Sequence, residues 1–178
     1  PLAERFVGAG HGVYLVGGIV RDLVLGRVSP GADLDLTTDA LPDQTMALLS
    51  GWADAVWTQG RAFGTIGARK GDTVFEVTTH RAEAYREDSR KPHVVYADDV
   101  TEDLSRRDFT VNAMALRLPE VVLVDPYGGV ADLAGGRLRT PLAPEVSFSD
   151  DPLRMIRAAR FIAGYSLTPD QALVAAVE

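Results

Sequence analysis

The stretch Tyr14-Leu-Val-Gly-Gly-Ile-Val-Arg-Asp-Leu-Val-Leu-Gly-Arg27, followed by Asp33-Leu-Asp35, decides the fold of this chain. Its apolar beginning predicts a short buried strand, which a Gly-Gly turn joins to a short helix. Because Gly17 and Gly18 carry no side chains, an anion can approach the backbone, and the N–H groups at the helix start would point at it. Arg21 lies one turn into that helix, where its guanidinium group could bind a phosphate through two hydrogen bonds. The stretch therefore predicts a phosphate-binding turn.

Asp33 and Asp35 are two residues apart on a second predicted strand, so both carboxylates point to one face of the sheet. Two such carboxylates repel each other unless a cation lies between them, and a hard divalent cation such as Mg²⁺ is the natural partner. Each feature has an ordinary alternative, because Gly-Gly is often only a tight turn and Asp-x-Asp is often a solvated strand. An anion site beside a paired-carboxylate metal site is what nucleotidyl transfer requires. The combination is therefore more specific than either feature alone.

The chain has 178 residues, a formal net charge of −7 and no cysteine. This length suffices for one domain, or for one domain and the start of another. The sequence shows neither a membrane-spanning apolar stretch nor a signal peptide, and it cannot form disulfides, so we expect a cytoplasmic protein without a membrane partner. The acidic balance argues against a bulk electrostatic grip on nucleic acid. Because the chain begins at Pro1 without Met and stops inside an apolar, helix-like run, we expect the N-terminal part of a longer protein.

A predicted hairpin contributes a third acidic residue. Residues 65–69 and 73–79 read as strands joined by a Gly-Asp turn. Glu76 in the second strand would ordinarily be an edge or solvent residue, but in the company of the two aspartates we favour a third carboxylate of the metal site. Residues 81–99 are polar and lack periodicity, which predicts a long loop that is either a solvated excursion or a functional element.

Residues 101–115 predict a helix that runs into a strand continuing to Leu118, and they contain Arg106-Arg107-Asp108-x-x-x-Asn112. Taken alone, an Arg-Asp pair on a helix would be an ordinary surface pair. Further along the chain, the residues from Leu138 predict a short extended segment followed by a linker that contains proline.

Residues 149–161 predict a helix capped by Ser149 or Asp150 and ended by Gly164, and residues 168–170 predict the start of another. Asp151 and Arg154 lie one turn apart near the start of the first helix. Alone, they would be a capping acid and a local ion pair.

The Gly-Gly-x-Val-Arg-Asp-x-x-Leu-Gly-Arg motif, Asp-x-Asp and the two later segments together resemble the signature of the polymerase-beta-like nucleotidyltransferases. In detail they are similar to the bacterial-type (class II) tRNA CCA-adding enzymes and the bacterial poly(A) polymerases, from about Tyr14 to Thr168. The resemblance implies an α+β fold, with a mixed, mostly antiparallel sheet flanked by helices, rather than a Rossmann fold. It also implies a nucleotidyltransferase head domain at residues 1–146 and the start of an all-helical neck domain at residues 147–178.

The same resemblance implies roles for individual residues. Asp33, Asp35 and Glu76 would be the catalytic carboxylates and would hold two Mg²⁺ ions. Arg107 would bind the triphosphate, Asp108 the ribose hydroxyls, and Asn112 would brace the site, while Asp151 and Arg154 would read the base. The full set of implied nucleotide-binding residues is Gly17, Gly18, Arg21, Asp22, Arg107, Asp108, Asn112, Asp151, Arg154 and Arg157.

The activity implied by the resemblance is metal-dependent, template-independent addition of C and A nucleotides to tRNA 3′ ends, with CTP and ATP as substrates and pyrophosphate as product. Two alternatives are other activities of the same kind, namely a poly(A) polymerase and an enzyme that adds only CC or only A. The substrate could also be another RNA. A non-catalytic nucleotide- or RNA-binding module and a small-molecule nucleotidyltransferase are further alternatives. The sequence departs from the family pattern at Asp150, where Glu is usual, and at His80, where Phe is usual. For His80 we expect a packing role.

Overall fold

The structure, a computed structural model, describes residues 1–28, 31, 33–82 and 95–177. A seven-stranded sheet dominates it, with the strand order β3-β4-β5-β2-β1-β8-β9. The sheet strands are β1 (Val13–Val16), β2 (Leu34–Thr38), β3 (Ala55–Trp57), β4 (Thr65–Lys70), β5 (Thr73–Thr79), β8 (Ala115–Leu118) and β9 (Val122–Val124). Two short ribbons pair β6 (Arg81–Ala82) with β7 (Val95–Tyr96), and β10 (Arg137–Leu138) with β11 (Thr168–Pro169).

Strand pairing in the main sheet is antiparallel except between β2 and β5, which run parallel. The predicted hairpin of β4 and β5 is present, and so is the strand that begins the Gly-Gly motif. Leu36 of β2 and Val77 of β5 enter the core, while Asp35 and Glu76, each one residue earlier, point to the opposite face and are exposed. The predicted α+β class with a mixed, mostly antiparallel sheet is confirmed.

Helices flank the sheet. They are α1 (Leu2–Gly8), α2 (Gly18–Val24), α3 (Pro42–Leu49), α4 (Val100–Ser105), α5 (Gly129–Ala134), α6 (Pro144–Asp150), α7 (Leu153–Tyr165) and α8 (Gln171–Ala175). Among these described helices, none is long and apolar enough to cross a membrane. Helices α6, α7 and α8 enclose a core that they share with the segment following α4, through Phe109, Phe148 and Phe161. The predicted domain boundary between residues 146 and 147 falls inside α6 and stays a prediction.

The helix and the following strand predicted over residues 101–118 are present as α4 and β8, and a turn and a short 3-10 segment lie between them. Helix α4 ends at Ser105, and the chain turns inward so that Phe109 is fully buried in an extended conformation. Asp108 stabilises this turn, because its Oδ1 accepts a hydrogen bond of 2.8 Å from the Phe109 N–H. The Arg-Arg-Asp motif therefore lies on a turn, and a short 3-10 segment, Thr110–Asn112, leads to β8.

The helix predicted over residues 149–161 is two helices. Ser149 and Asp150 end α6, which occupies the predicted linker and has Pro144 in its first turn. Pro152 disfavours a helical conformation at the residue before it, and Asp151 is indeed extended, with φ −146° and ψ 96°. The new helix, α7, begins at Leu153, whose N–H donates to Asp151 Oδ1 at 3.0 Å.

Two further boundaries differ from the prediction. Helix α7 does not stop at Gly164 but continues to Tyr165, whose ring stacks on that of Phe161 one turn earlier. Thr168–Pro169 is the strand β11 rather than a helix start, and Asp170 alone caps α8. The predicted loop at residues 81–99 is paired at its ends as β6 and β7, and residues 83–94 lie outside the described residues.

Asp132 is a fully buried carboxylate that holds α5 to the strand that follows it. Its oxygens accept hydrogen bonds from Thr110 Oγ1 at 2.7 Å, Arg137 Nε at 3.0 Å and Arg139 Nε at 2.9 Å. Burial alone would raise the pKa of Asp132, but the hydrogen bonds from Arg139, Thr110 and Arg137 outweigh it, so the pKa is lowered.

We expect Asp132→Ala to lower the free energy of unfolding by about 3 kcal/mol, the lower end of the range for breaking a buried pair, because both arginines remain partly hydrated. Urea unfolding at pH 7 measures this. Because folding lowers the pKa of Asp132, its stabilisation is fully present at pH values above the ordinary pKa of 3.8. It is lost as the pH falls below that value. A stability difference between wild type and variant that stayed constant from neutral to strongly acidic pH would contradict this account.

Candidate functional site

A polar cleft of about 350 Å³ opens beside the Gly-Gly turn. It lies where the start of α2, the strand β2, the turn after α4 and the start of α7 meet. Its lining consists of Gly17, Gly18, Asp35, Arg81, Asp103, Arg106, Arg107, Asp108, Asn112, Asp151, Arg154 and Arg157. Most of the residues predicted from the sequence therefore come together in one place. Among the described residues, the lining does not include Arg21, Asp22, Asp33 or Glu76.

Gly17 allows Arg107 to approach the backbone of the turn. Its φ of 75° is a conformation that residues with a side chain rarely adopt, and a Cβ atom there would lie 3.1 Å from Arg107 Nη1 and 3.9 Å from Asp35 Oδ2. Gly18 has no such φ, and its Cβ would lie 3.4 Å from Arg21 Nη2. The turn thus sets a guanidinium group and the backbone N–H groups of α2 at the same end of the cleft.

We expect Gly17→Ala to be more damaging than Gly18→Ala. The first substitution introduces strain of about 1–3 kcal/mol at a positive φ and displaces Arg107, whereas the second adds a methyl group at a tolerant helix position. Urea unfolding measures the stability loss, and titration of inorganic tripolyphosphate into each variant measures the loss of anion binding. Equal effects of the two substitutions would show that the spacing between Gly17 and Arg107 is unimportant.

Two of the acidic residues predicted as metal ligands, Asp35 and Glu76, are aligned on adjacent strands, and the third, Asp33, lies just before β2 rather than on it. Asp35 pairs with Glu76 in the parallel register of β2 and β5, and Asp33 lies two residues before Asp35. Although Asp35 as a whole residue is exposed, the cleft walls partly desolvate its carboxylate and raise its pKa. The charges of Glu76 and Asp33 raise this pKa further, and the charge of Arg107 lowers it. Within residues 1–28, 31, 33–82 and 95–177, however, no three acidic or histidine side chains converge as a metal-binding group. The assignment of all three carboxylates to a metal stays a prediction.

Arg81 and Asp103 line the cleft and were missed in the sequence analysis. Asp103 is almost fully buried, and its two oxygens hold the two arginines that flank it. Oδ2 accepts a hydrogen bond of 3.1 Å from Arg107 Nη2, and Oδ1 accepts one of 3.2 Å from the Arg81 backbone N–H. Burial lowers the pKa of Arg81, and the charge of Arg106 lowers it further. The i,i+4 spacing of Asp103 and Arg107 was the one available signal in the sequence.

Asp108 and Asn112 form the floor of the cleft and connect α7 to α2. Asp108 Oδ2 accepts hydrogen bonds from Arg157 Nε at 2.9 Å and Nη2 at 2.6 Å, and its Oδ1 accepts one from Asn112 Nδ2 at 2.9 Å. Asn112 Oδ1 in turn accepts one from Arg21 Nη1 at 2.8 Å. Asn112 thus links Asp108 to Arg21, and its predicted bracing role in nucleotide binding stays a prediction.

Arg21, predicted as a phosphate ligand, is not among the residues that line the cleft. Only 7% of the residue is exposed, and its guanidinium group is directed at Asn112 and at the carboxylate of Asp22, with hydrogen bonds of 2.9 and 3.0 Å to the latter. The structure thus favours a supporting role behind the cleft wall, and direct phosphate binding by Arg21 or Asp22 stays an untested prediction.

Asp151 and Arg154 both face the cleft, as a base-reading pair must. Asp151 Oδ1 caps α7 by accepting from the Leu153 N–H. Arg154 Nη1 donates to Ser147 Oγ at 2.7 Å and its Nη2 donates to the Arg106 carbonyl at 2.6 Å. The capping role is thus present, and it occupies one of the two oxygens of Asp151.

His80, one of the two departures from the family pattern, is buried beneath the sheet. Its Nδ1 lies 2.7 Å from Thr37 Oγ1, and its ring centroid lies 5.7 Å from that of Tyr14. Burial lowers the pKa of His80, against the raising effect of nearby aspartates such as Asp103. A neutral histidine that packs in place of a phenylalanine is consistent with the predicted role.

Comparisons with known proteins show the family and the fold of this chain. Residues 13–139 match the family described as the poly A polymerase head domain. The CCA-adding enzyme of Geobacillus thermodenitrificans is 41% identical over 164 residues, which are 90% of this chain and 39% of the relative. That of Bacillus subtilis is 40% identical over 173 residues, or 96% of this chain and 42% of the relative. The chain thus spans about two fifths of the length of these curated relatives.

Solved structures show the same fold. The Bacillus stearothermophilus CCA-adding enzyme in complex with CTP superposes with a TM-score of 0.86 at 32% identity, covering 99% of this chain and 41% of that one. A tRNA nucleotidyltransferase complexed with a primer tRNA and an incoming ATP analog gives a TM-score of 0.79 at 28% identity, covering 99% and 48%. Since the family match extends from β1 to the residue after β10, this chain belongs to the poly A polymerase head domain family.

Proposed function

We propose that this chain is the nucleotide-binding part of an enzyme that adds C and A nucleotides to the 3′ end of tRNA, from CTP and ATP and with release of pyrophosphate. The observation that supports this best is the cleft itself. The Gly-Gly turn, Asp35 of β2 and the potential base-reading pair Asp151 and Arg154 line one cavity of about 350 Å³. The curated relatives that match this chain are named CCA-adding enzymes, and one solved relative contains CTP.

The CCA-adding enzymes are metal-dependent nucleotidyltransferases, and we propose Mg²⁺ as the metal here. The donor set fits a hard cation, since Asp33, Asp35 and Glu76 offer carboxylate oxygens, and desolvation together with the charges of Glu76 and Asp33 raises the pKa of Asp35. When bound, the metal would neutralise the charge of the triphosphate and make the RNA 3′-hydroxyl more acidic. In this proposal Asp35 and Glu76, paired across β2 and β5, hold the metal together with Asp33.

The remaining residues of the cleft bind and orient the nucleotide. The backbone N–H groups of Gly17 and Gly18 and the guanidinium group of Arg107 would hold the triphosphate at the end of the cleft nearest the carboxylates. Asp151 and Arg154 would present acceptors and donors to the pairing edge of the base at the other end. Positioning of this kind, rather than covalent chemistry by the protein, supplies most of the catalysis in phosphoryl transfer.

Poly(A) addition is the second candidate, because the family that matches residues 13–139 is described as a poly A polymerase head domain. The two activities differ in whether CTP is used. A CC-adding or A-adding enzyme would use one nucleotide only, and a non-catalytic binding module would use none.

One experiment separates these possibilities. The full-length protein is incubated with Mg²⁺, each labelled nucleotide, and tRNA that lacks its last three nucleotides, or tRNA that lacks only the terminal A. We expect incorporation of two C residues followed by one A, and no incorporation of U or G. Processive addition of A alone would establish the poly(A) alternative, and the absence of any incorporation would overturn the proposed activity. The cytoplasmic location predicted from the sequence stays a prediction.

A further inference from the structure

Arg21 of the Gly-Gly motif is held between two parts of the chain that are far apart in sequence. On one side its guanidinium group donates to Asp22 and Asn112. On the other side its Cζ atom lies 4.3 Å from the centroid of the Tyr165 ring and 5.5 Å from that of Phe161. The two rings stack on each other, with centroids 5.4 Å apart and planes inclined by 20°. Because Arg21 is almost fully buried, water screens this cation–π contact only weakly.

Besides the apolar packing of Phe161 in the core, contacts spaced along α7 connect the helix to the head, and the contact between Arg21 and Tyr165 lies at the far end of the helix. At the beginning of α7, Arg154 donates to a backbone carbonyl of the Arg-Arg-Asp motif. In the middle, Arg157 binds Asp108 through two hydrogen bonds. The end of α7 is held where Tyr165 covers Arg21. Since a helix rises about 1.5 Å per residue, Tyr165 acts about 16 Å from Arg154.

We propose that Tyr165, through Arg21, is a positioning residue that sets the orientation of α7 and thereby controls nucleotide choice. This inference rests on the proposed function, in which the base is read at the beginning of α7. If the far end of α7 comes loose, the helix tilts about its remaining contacts and displaces Asp151 and Arg154 relative to the Gly-Gly turn. The triphosphate ligands, Gly17 and Arg107, lie outside α7 and keep their places.

The test uses Tyr165→Ala, Tyr165→Phe and Ile162→Ala in the full-length protein. The phenylalanine variant keeps the ring that covers Arg21, and Ile162, which is exposed on α7, is a matched control for the loss of an apolar side chain from the same helix. For each variant, kcat and KM are measured with all four nucleotides, together with inhibition by tripolyphosphate.

For Tyr165→Ala we expect the preference for CTP over UTP, and for ATP over GTP, to fall on the order of threefold to thirtyfold, the factor that a partly desolvated cation–π contact is worth. The change should appear in kcat more than in KM, and inhibition by tripolyphosphate should stay within about twofold, because binding of the phosphates is unaffected. Tyr165→Phe and Ile162→Ala should behave as wild type.

Hydrogen exchange of backbone amides tests the contact without relying on activity. We expect Tyr165→Ala to speed exchange in the second half of α7, while exchange in β2 and β5 is unchanged and Tyr165→Phe is as protected as wild type. If Tyr165→Ala left α7 exchange or nucleotide preference at wild-type values, the proposal would be wrong. It would also be wrong if Tyr165→Phe were as defective as Tyr165→Ala. If the wild-type protein incorporated no nucleotide, the proposed function would be wrong, and control of nucleotide choice by Tyr165 would be wrong as well. The exchange data would then still report whether Tyr165 holds the end of α7.

Discussion

Replacing Asp35 by alanine is expected to reduce nucleotide incorporation by at least about a thousandfold, because metal ligation supplies several kcal/mol of transition-state stabilisation. Asp35 is the acidic residue of β2 that lines the cleft, and it pairs with Glu76 on β5. Single-turnover incorporation at saturating Mg²⁺ is the measurement. Asp35→Asn, which keeps the shape of the side chain and removes its charge, should be nearly as inactive.

The same substitutions should leave the fold intact. The pKa of Asp35 is raised in the folded protein, so its ionisation disfavours folding, and the contribution of this group to stability falls as the pH rises through that pKa. Without divalent cations, both variants should therefore unfold at the same urea concentration as wild type or at a slightly higher one. Asp72→Ala, on the exposed β4–β5 turn, is the charge-matched control and should retain full activity. Near-wild-type incorporation by Asp35→Ala at saturating Mg²⁺ would rule out the assigned metal site.

The second large effect is expected at Asp151, which combines two roles that substitution can separate. Its Oδ1 caps α7, and the side chain also faces the cleft, where a carboxylate can accept from the amino group of cytosine or adenine. Uracil and guanine present mismatched groups. Each unpaired buried polar group costs about 1–3 kcal/mol, so two mismatches give roughly a hundredfold discrimination or more.

Asp151→Ala should therefore lose most of this discrimination and also about 1 kcal/mol of stability, the usual value of an N-cap. Asp151→Ser keeps a capping oxygen but removes the carboxylate, so it should retain stability and still lose discrimination. The incorporation efficiencies of all four nucleotides, with urea unfolding of each variant, decide between the roles. Wild-type discrimination in Asp151→Ser would reduce Asp151 to a helix cap.

Local patterns were sufficient to predict much of this molecule. The alternation of Leu36 and Val77 with Asp35 and Glu76 places the first pair in the core and the second on the opposite face, because side chains of a strand alternate. The motif order predicted the α+β class and the family. One error was avoidable, since Pro152 alone argues against a continuous helix through Asp151.

Contacts between distant segments decided the rest. The position of Arg21 in the helix after the Gly-Gly turn predicted a phosphate ligand. In the folded chain its guanidinium group donates to Asn112 and contacts the Tyr165 ring, and both residues are far from Arg21 in sequence. Asp103 gains its importance because burial makes its hydrogen bonds to Arg81 and Arg107 hard to replace. By itself, the sequence determined which residues are able to bind phosphate, metal and base. Only the tertiary structure decided which of them face the cleft and which are committed to supporting it, because a guanidinium or carboxylate group has the same chemistry in either place until its neighbours are assembled.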